Sequence, residues 1–135
     1  MSRGSAGRVE MGTALALALF SVANGARMLL DPQGWFTSTP GVAATGGFNA
    51  HFVRDLGIVY VLTGAALLAG ARLASARSVL WTVAAGWLSA HAAFHVIPTI
   101  SGETHGALLP DLLGVVLPGL LASVLAARSC GRNSA

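Results

Sequence analysis

The sequence predicts an all-α protein, a bundle of four transmembrane helices with both termini cytoplasmic. Three observations carry this expectation: an apolar composition, four long apolar stretches, and the side on which the arginines fall. Of 135 residues, 54% are hydrophobic and 10% are charged, against about 25% charged in an average soluble domain. A soluble chain of 13.6 kDa has too much surface for its volume to hide so many apolar side chains. The mean hydropathy of +0.69 agrees. An ordinary soluble domain, a disordered chain and a disulfide scaffold are thereby excluded.

A helix that crosses a bilayer needs about 20 largely apolar residues, each rising about 1.5 Å. Residues 11–30, 49–72, 78–98 and 108–127 meet that length. The tails and connections are short, so residues 1–135 read as a single transmembrane domain, with no internal repeat of useful strength. The first stretch has a rival reading: Arg3 and Arg8 before an apolar run, with Ser21-Val22-Ala23 as a cleavage site, resemble a signal peptide. The run continues past that site to Leu30, which favours a retained helix. Small residues, as in Gly64, Ala65 and Ala69 and in Gly86, Ala90 and Ala93, are expected to let helices approach closely.

The eight basic residues are all arginines, against five acidic residues. They are scattered in ones and twos, which argues against a nucleic-acid surface. Arg3 and Arg8 precede span one, Arg72 and Arg77 flank the turn between spans two and three, and Arg128 and Arg132 follow span four. The loops 31–48 and 99–107 contain no Arg or Lys. The positive-inside rule then puts both termini in the cytoplasm and those two loops outside. The single Cys130 permits no internal disulfide.

The loop 31–48 carries Pro32, Gly34, Pro40, Gly41, Gly46 and Gly47 and is expected to be irregular. It reads either as a cover over the outer mouth of the bundle or as a plain connector. Trp35 and Phe36 are placed where aromatic residues mark the membrane interface.

Ionisable groups in apolar spans are costly, tend to face the bundle interior and often mark function. Here they gather at one depth. Span one carries Asn24, Arg27 and Asp31, at spacings of three and four that share a face. Span two opens with His51, Arg54 and Asp55, span three ends with His91 and His95, and span four opens with Asp111; Glu103 and His105 lie in the loop between. The helical rise puts His91 and His95 roughly 20 and 26 Å across the membrane from Ser78.

Three readings of this convergence compete. In the first, His51, Asp55, His91, His95 and Asp111 hold a divalent metal such as Zn, Fe or Cu, which imidazole and carboxylate suit; facing helices of a bundle build such sites. There is no Glu-x-x-His pair and no Cys ligand within the spans. In the second, Asn24, Arg27, Asp31, Arg54, Glu103 and His105 join the aspartates in a paired network that fixes helix register. In the third, His51 with His91 or His95 holds a haem, though no cofactor motif accompanies them. Transport would need an oligomer to build a pathway. Tyr60 and Trp87 read as packing residues, Trp81 lies near the inner interface, and Pro118 is expected to kink span four.

The string Asn49 to Gly57, NAHFVRDLG, followed by Tyr60, His91-x-x-x-His95 and Asp111, resembles a set of small bacterial four-helix integral membrane proteins, loosely DoxX-like, from about Gly25 to the end of span four. The resemblance implies four membrane helices and a bacterial inner membrane, and no substrate. The expected function is that of a small multi-pass membrane protein with an outward-facing His/Asp pocket that binds metal, with a metal-dependent oxidoreductase acting on a small or lipophilic substrate as its catalytic form; the alternative is a non-catalytic structural or accessory protein whose polar network fixes packing. The bilayer and a possible second copy are the expected partners.

Overall fold

A computed structural model describes residues 3–101 and 108–133. The chain is helical almost throughout. Helix α1 (Arg3–Leu30) is followed by a short α2 (Pro32–Ser38), a 3-10 turn (Val42–Ala44), α3 (Ala50–Arg72) and α4 (Arg77–Ile100). The last limb is α5 (Leu108–Asp111), a π-helical turn (Leu112–Val116) and α6 (Leu117–Asn133). Four segments are long and apolar enough to cross a membrane: Gly7–Leu30, Ala50–Arg72, Arg77–Ile97 and Leu108–Gly131. At about 1.5 Å per residue they span roughly 31–36 Å, against a hydrocarbon core of about 30 Å. Their outward faces carry exposed Leu19, Leu62, Val83 and Leu120, a surface suited to lipid.

The helices form a ring in which α1 packs on α3, α3 on α4 and α4 on α6, and α6 touches α1. Between α1 and α3 the approach is very close. A Cβ added to Gly64 would lie 2.6 Å from Val22 Cγ2 and 2.8 Å from the Ala18 carbonyl oxygen, and one on Gly57 would lie 2.9 Å from Met28 Cβ. Helices in lipid gain little from hydrophobic exclusion, so contact this close supplies much of their attraction. The seam differs from the one expected on α4. Gly86, Ala90 and Ala93 face outward, with nothing near Gly86, and Ala65 is exposed as well; the face of α4 turned to its neighbours is instead Trp81, Ala84, Ala85, Leu88 and Ala92. On α4 and α6, Ser89 Oγ and Ser123 Oγ share a hydrogen bond of 2.8 Å.

At the α3–α4 turn, Arg77 donates from Nε to the Gly70 carbonyl at 2.8 Å and from Nη2 to the Ala71 carbonyl at 3.3 Å. These are among the last carbonyls of α3, which have no partner within the helix. The guanidinium also lies 5.4 Å from the centre of the Trp81 ring. Trp81 is buried and donates from Nε1 to the Leu67 carbonyl at 3.1 Å.

At the opposite end the chain is more ordered than its glycines and prolines suggest. Asp31 caps α2, its Oδ1 accepting from the Gly34 amide at 2.9 Å, and Pro32 occupies the first turn, where a missing amide hydrogen costs nothing. Trp35 is buried and donates from Nε1 to Asn24 Oδ1 at 2.9 Å, and Arg27 donates to Ser38 Oγ. Thus α2 is a strap pinned across α1 and α3. It does not cover the residues of α4 and α5 discussed below.

The π-helical turn has a local cause. Pro118 has no amide hydrogen to give the Gly114 carbonyl, and its ring crowds that carbonyl. The helix widens there, and the Leu117 amide bonds to the Leu112 carbonyl, five residues back.

Candidate functional site

On α4, Trp87, His91 and His95 stand four residues apart and form a continuous row. Trp87 and His91 stack, centroids 5.4 Å apart and planes 13° from parallel. His91 meets His95 edge-on at 4.8 Å. Tyr60 of α3, itself buried, sits edge-on to both Trp87 and His91, at 6.2 and 6.0 Å. The row ends on α5, where Asp111 Oδ1 lies 3.3 Å from His95 Nδ1. Both side chains are largely sheltered, 29% exposed for His95 and 25% for Asp111. By helical rise, His91 and His95 stand roughly 21 and 27 Å from the Arg77 end of α4.

A cleft of about 210 Å³ opens beside this pair. His95 and Asp111 border it together with Val96, Ile100, Leu108, Leu112 and Val116, and its surface is almost wholly apolar. Ile100 and Leu108 are 77% and 62% exposed, so the cleft opens sideways between α4 and the last limb. The π-helical turn places Leu112 and Val116 on this wall directly after Asp111.

The five-residue pocket expected from the sequence reduces to three residues. His51 Nδ1 and Asp55 Oδ2 pair with each other at 2.8 Å, and their side chains are 87% and 58% exposed. They occupy an outward face of α3, whereas Tyr60 is the α3 residue turned toward the histidine row. The cause is rotation: at 100° per residue, the face that buries Val53, Gly57, Tyr60 and Gly64 carries His51 and Asp55 away from the centre. Arg54 donates from Nε to the Leu29 carbonyl at 3.5 Å, so it serves the end of α1. Asn24, Arg27 and Asp31 all serve α2. Glu103 and His105 lie outside the described residues.

Two features escaped the sequence reading. Glu10, buried in α1, has Oε1 3.6 Å from Arg128 Nη1 on α6; its spacing from Ala14, Leu17 and Ser21 on the buried face was the available signal. Trp87 and Tyr60 are walls of the histidine row as well as packing residues, which the spacing of four between Trp87 and His91 could have suggested. Trp87 Nε1 and Ser21 Oγ are buried without a hydrogen-bond partner among the described residues.

Among the described residues, no group of three or more His, Cys, Asp and Glu is arranged to hold a metal ion. Comparison with family models, curated proteins and solved structures found no match.

Proposed function

We propose that this is a small multi-pass membrane protein that binds a small lipophilic molecule in the cleft between α4 and α5, with His95 and Asp111 recognising its polar end. One observation supports the reading above others: a sheltered imidazole–carboxylate pair borders an apolar cleft that is open to the side. Polar groups at membrane depth are costly unless paired or used. A bilayer-dissolved molecule reaches such a cleft without passing through water. Asp111 Oδ1 lies 3.3 Å from His95 Nδ1 and holds the ring at the edge of the cleft.

Purification in mild detergent, followed by native mass spectrometry and elemental analysis, tests this. Wild-type protein is expected to carry a small apolar ligand. His95→Ala and Asp111→Asn are expected to retain less than a tenth as much while staying folded. Retention of the ligand by both variants would remove the site. A stoichiometric metal lost in the variants would instead favour the metal-centred form, with His91, His95 and Asp111 as ligands.

A second reading, a non-catalytic protein whose polar residues fix packing, is favoured by Asn24, Arg27, Asp31 and Arg54, which bind α2 and a helix end. It predicts that the His95 and Asp111 variants lose stability and nothing else.

The arginine distribution supports an orientation with both termini cytoplasmic; the bacterial inner membrane is proposed from the resemblance of the NAHFVRDLG string. Cys130 is exposed at the Arg77 end and is the only cysteine. A membrane-impermeant maleimide is expected to label it only after intact cells are permeabilised. Labelling of intact cells would reverse the orientation.

A further inference from the structure

The register of the last limb decides which side chain meets His95. An α-helix turns about 100° per residue, so positions eighteen apart, five full turns, share a face. Ser129 lies eighteen residues after Asp111, and Cys130 eighteen after Leu112. The two lines lead to different sides of α6. Gly119, Ser123 and Cys130 face α4. A Cβ on Gly119 would lie 2.9 Å from the Leu88 carbonyl oxygen, Ser123 Oγ lies 2.8 Å from Ser89 Oγ, and Cys130 Sγ lies 3.7 Å from Thr82 Oγ1. Carried back along an unbroken α-helix, this line reaches Leu112. Asp111 would stand about 100° away from it, in line with the buried Ser129.

The structure shows the other arrangement: Asp111 Oδ1 lies 3.3 Å from His95 Nδ1. The π-helical turn accounts for the difference. There the Leu117 amide bonds to the Leu112 carbonyl, five residues back, so the turn takes up one residue more than an α-helical one. Every residue before it is set back by one position, and Asp111 takes the place that Leu112 would hold. We propose that Pro118 is the positioning residue of the His95–Asp111 pair, exchanging leucine for aspartate opposite His95 through the π-helical turn. Its ring and its missing amide hydrogen deny the Gly114 carbonyl an α-helical bond. Packing does not impose the widening at Gly114, since a Cβ added there would meet nothing within 4 Å. In an unbroken helix the carboxyl group would turn toward the line of Ala122 and Ser129, which are 0% and 3% exposed, and an ionisable group in an apolar interior is costly. The inference goes beyond the ligand reading above and holds whatever the cleft binds.

The test is a choice between two cross-links in the full chain, in phosphatidylcholine nanodiscs, with Cys130→Ser as background. His95→Cys is combined with either Asp111→Cys or Leu112→Cys, and reaction with a short bifunctional methanethiosulfonate is followed. With Pro118 in place, the Asp111→Cys chain is expected to cross-link at least about fivefold faster, because the two positions differ by about 100° around the helix. Pro118→Ala, a change that favours helix, is expected to reverse the preference. Deleting Gly114 from the Pro118→Ala chain removes the extra residue and should return the preference to Asp111→Cys, a rescue that a loosened bundle would not give. A preference for Asp111→Cys that survives Pro118→Ala would overturn the role of Pro118. A preference for Leu112→Cys with Pro118 present would overturn the register. Loss of preference in Pro118→Ala that the deletion fails to restore would overturn the one-residue exchange. The melting temperature of each variant separates these outcomes from misfolding.

Discussion

Gly64→Val is expected to prevent α1 and α3 from closing and to lower stability by about 3 kcal/mol or more, read as the shift of a detergent-unfolding curve. Overpacking a tight contact typically costs about 1–3 kcal/mol, occasionally more, and three features put this site at the upper end. A Cβ here would lie 2.6 Å from Val22 Cγ2 and 2.8 Å from the Ala18 carbonyl oxygen. A side chain can rotate away, but the carbonyl belongs to the backbone of α1 and moves only with that helix. The same seam contains Gly25, whose added Cβ would lie 2.6 Å from the Gly57 carbonyl oxygen, so a displacement at Gly64 disturbs contacts two turns away. The control is Gly86→Val, at an outward position with nothing within 4 Å, where a change of about 0.5 kcal/mol or less is expected. Equal unfolding curves for Gly64→Val and wild type would show that α1 and α3 are not held by this contact.

The contrast between Gly64 and Gly86 also marks what the sequence could and could not reveal. Both glycines lie in apolar stretches among alanines, and the sequence pattern makes both candidate contact residues. The existence and approximate bounds of the four long helices were legible because span length is fixed by bilayer thickness, and the stretch 49–72 coincides closely with Ala50–Arg72. Helix rotation was not legible. A membrane helix is apolar on its lipid face as well as its packed face, so hydrophobic periodicity gives no strong direction. The error at His51 and Asp55 has this origin: they share a depth with His91 and Asp111 but not a face. Depth follows from counting residues along a helix, whereas direction depends on how the glycines of α1 and α3 interlock.

Local side-chain chemistry was also under-read in the loop 31–48. Asp31 and Pro32 form a helix start, a cap followed by proline in the first turn. The six glycines and prolines of the segment masked that signal. Once α2 forms, Asn24 and Arg27 acquire partners in Trp35 and Ser38, and what resembled half of a buried site becomes the anchorage of a strap. The histidine pair was more legible, because four-residue spacing on one helix fixes a shared face whatever the rotation. The partnership with Asp111 follows from α4 lying against the last limb, and the π-helical turn before Pro118 continues the cleft wall directly after Asp111.

Trp81→Ala is expected to cost about 3–5 kcal/mol, the range for deleting a buried aromatic side chain. Trp81 is 1% exposed, and its loss opens a cavity between α3 and α4. It also removes the donor to the Leu67 carbonyl at 3.1 Å, a bond worth about 1 kcal/mol net, and leaves the Arg77 guanidinium without the ring beneath it. A second substitution shows whether the indole acts through this geometry. A Cβ on Gly70 would lie 2.5 Å from Trp81 Nε1, so Gly70→Ala forces the indole aside and is destabilising in the wild-type background. In the Trp81→Ala background the obstructed atom is gone, and Gly70→Ala should cost little. The double-mutant cycle is therefore expected to be non-additive by at least about 1 kcal/mol, as residues in contact commonly are. Simple additivity would mean that Gly70 and Trp81 act independently.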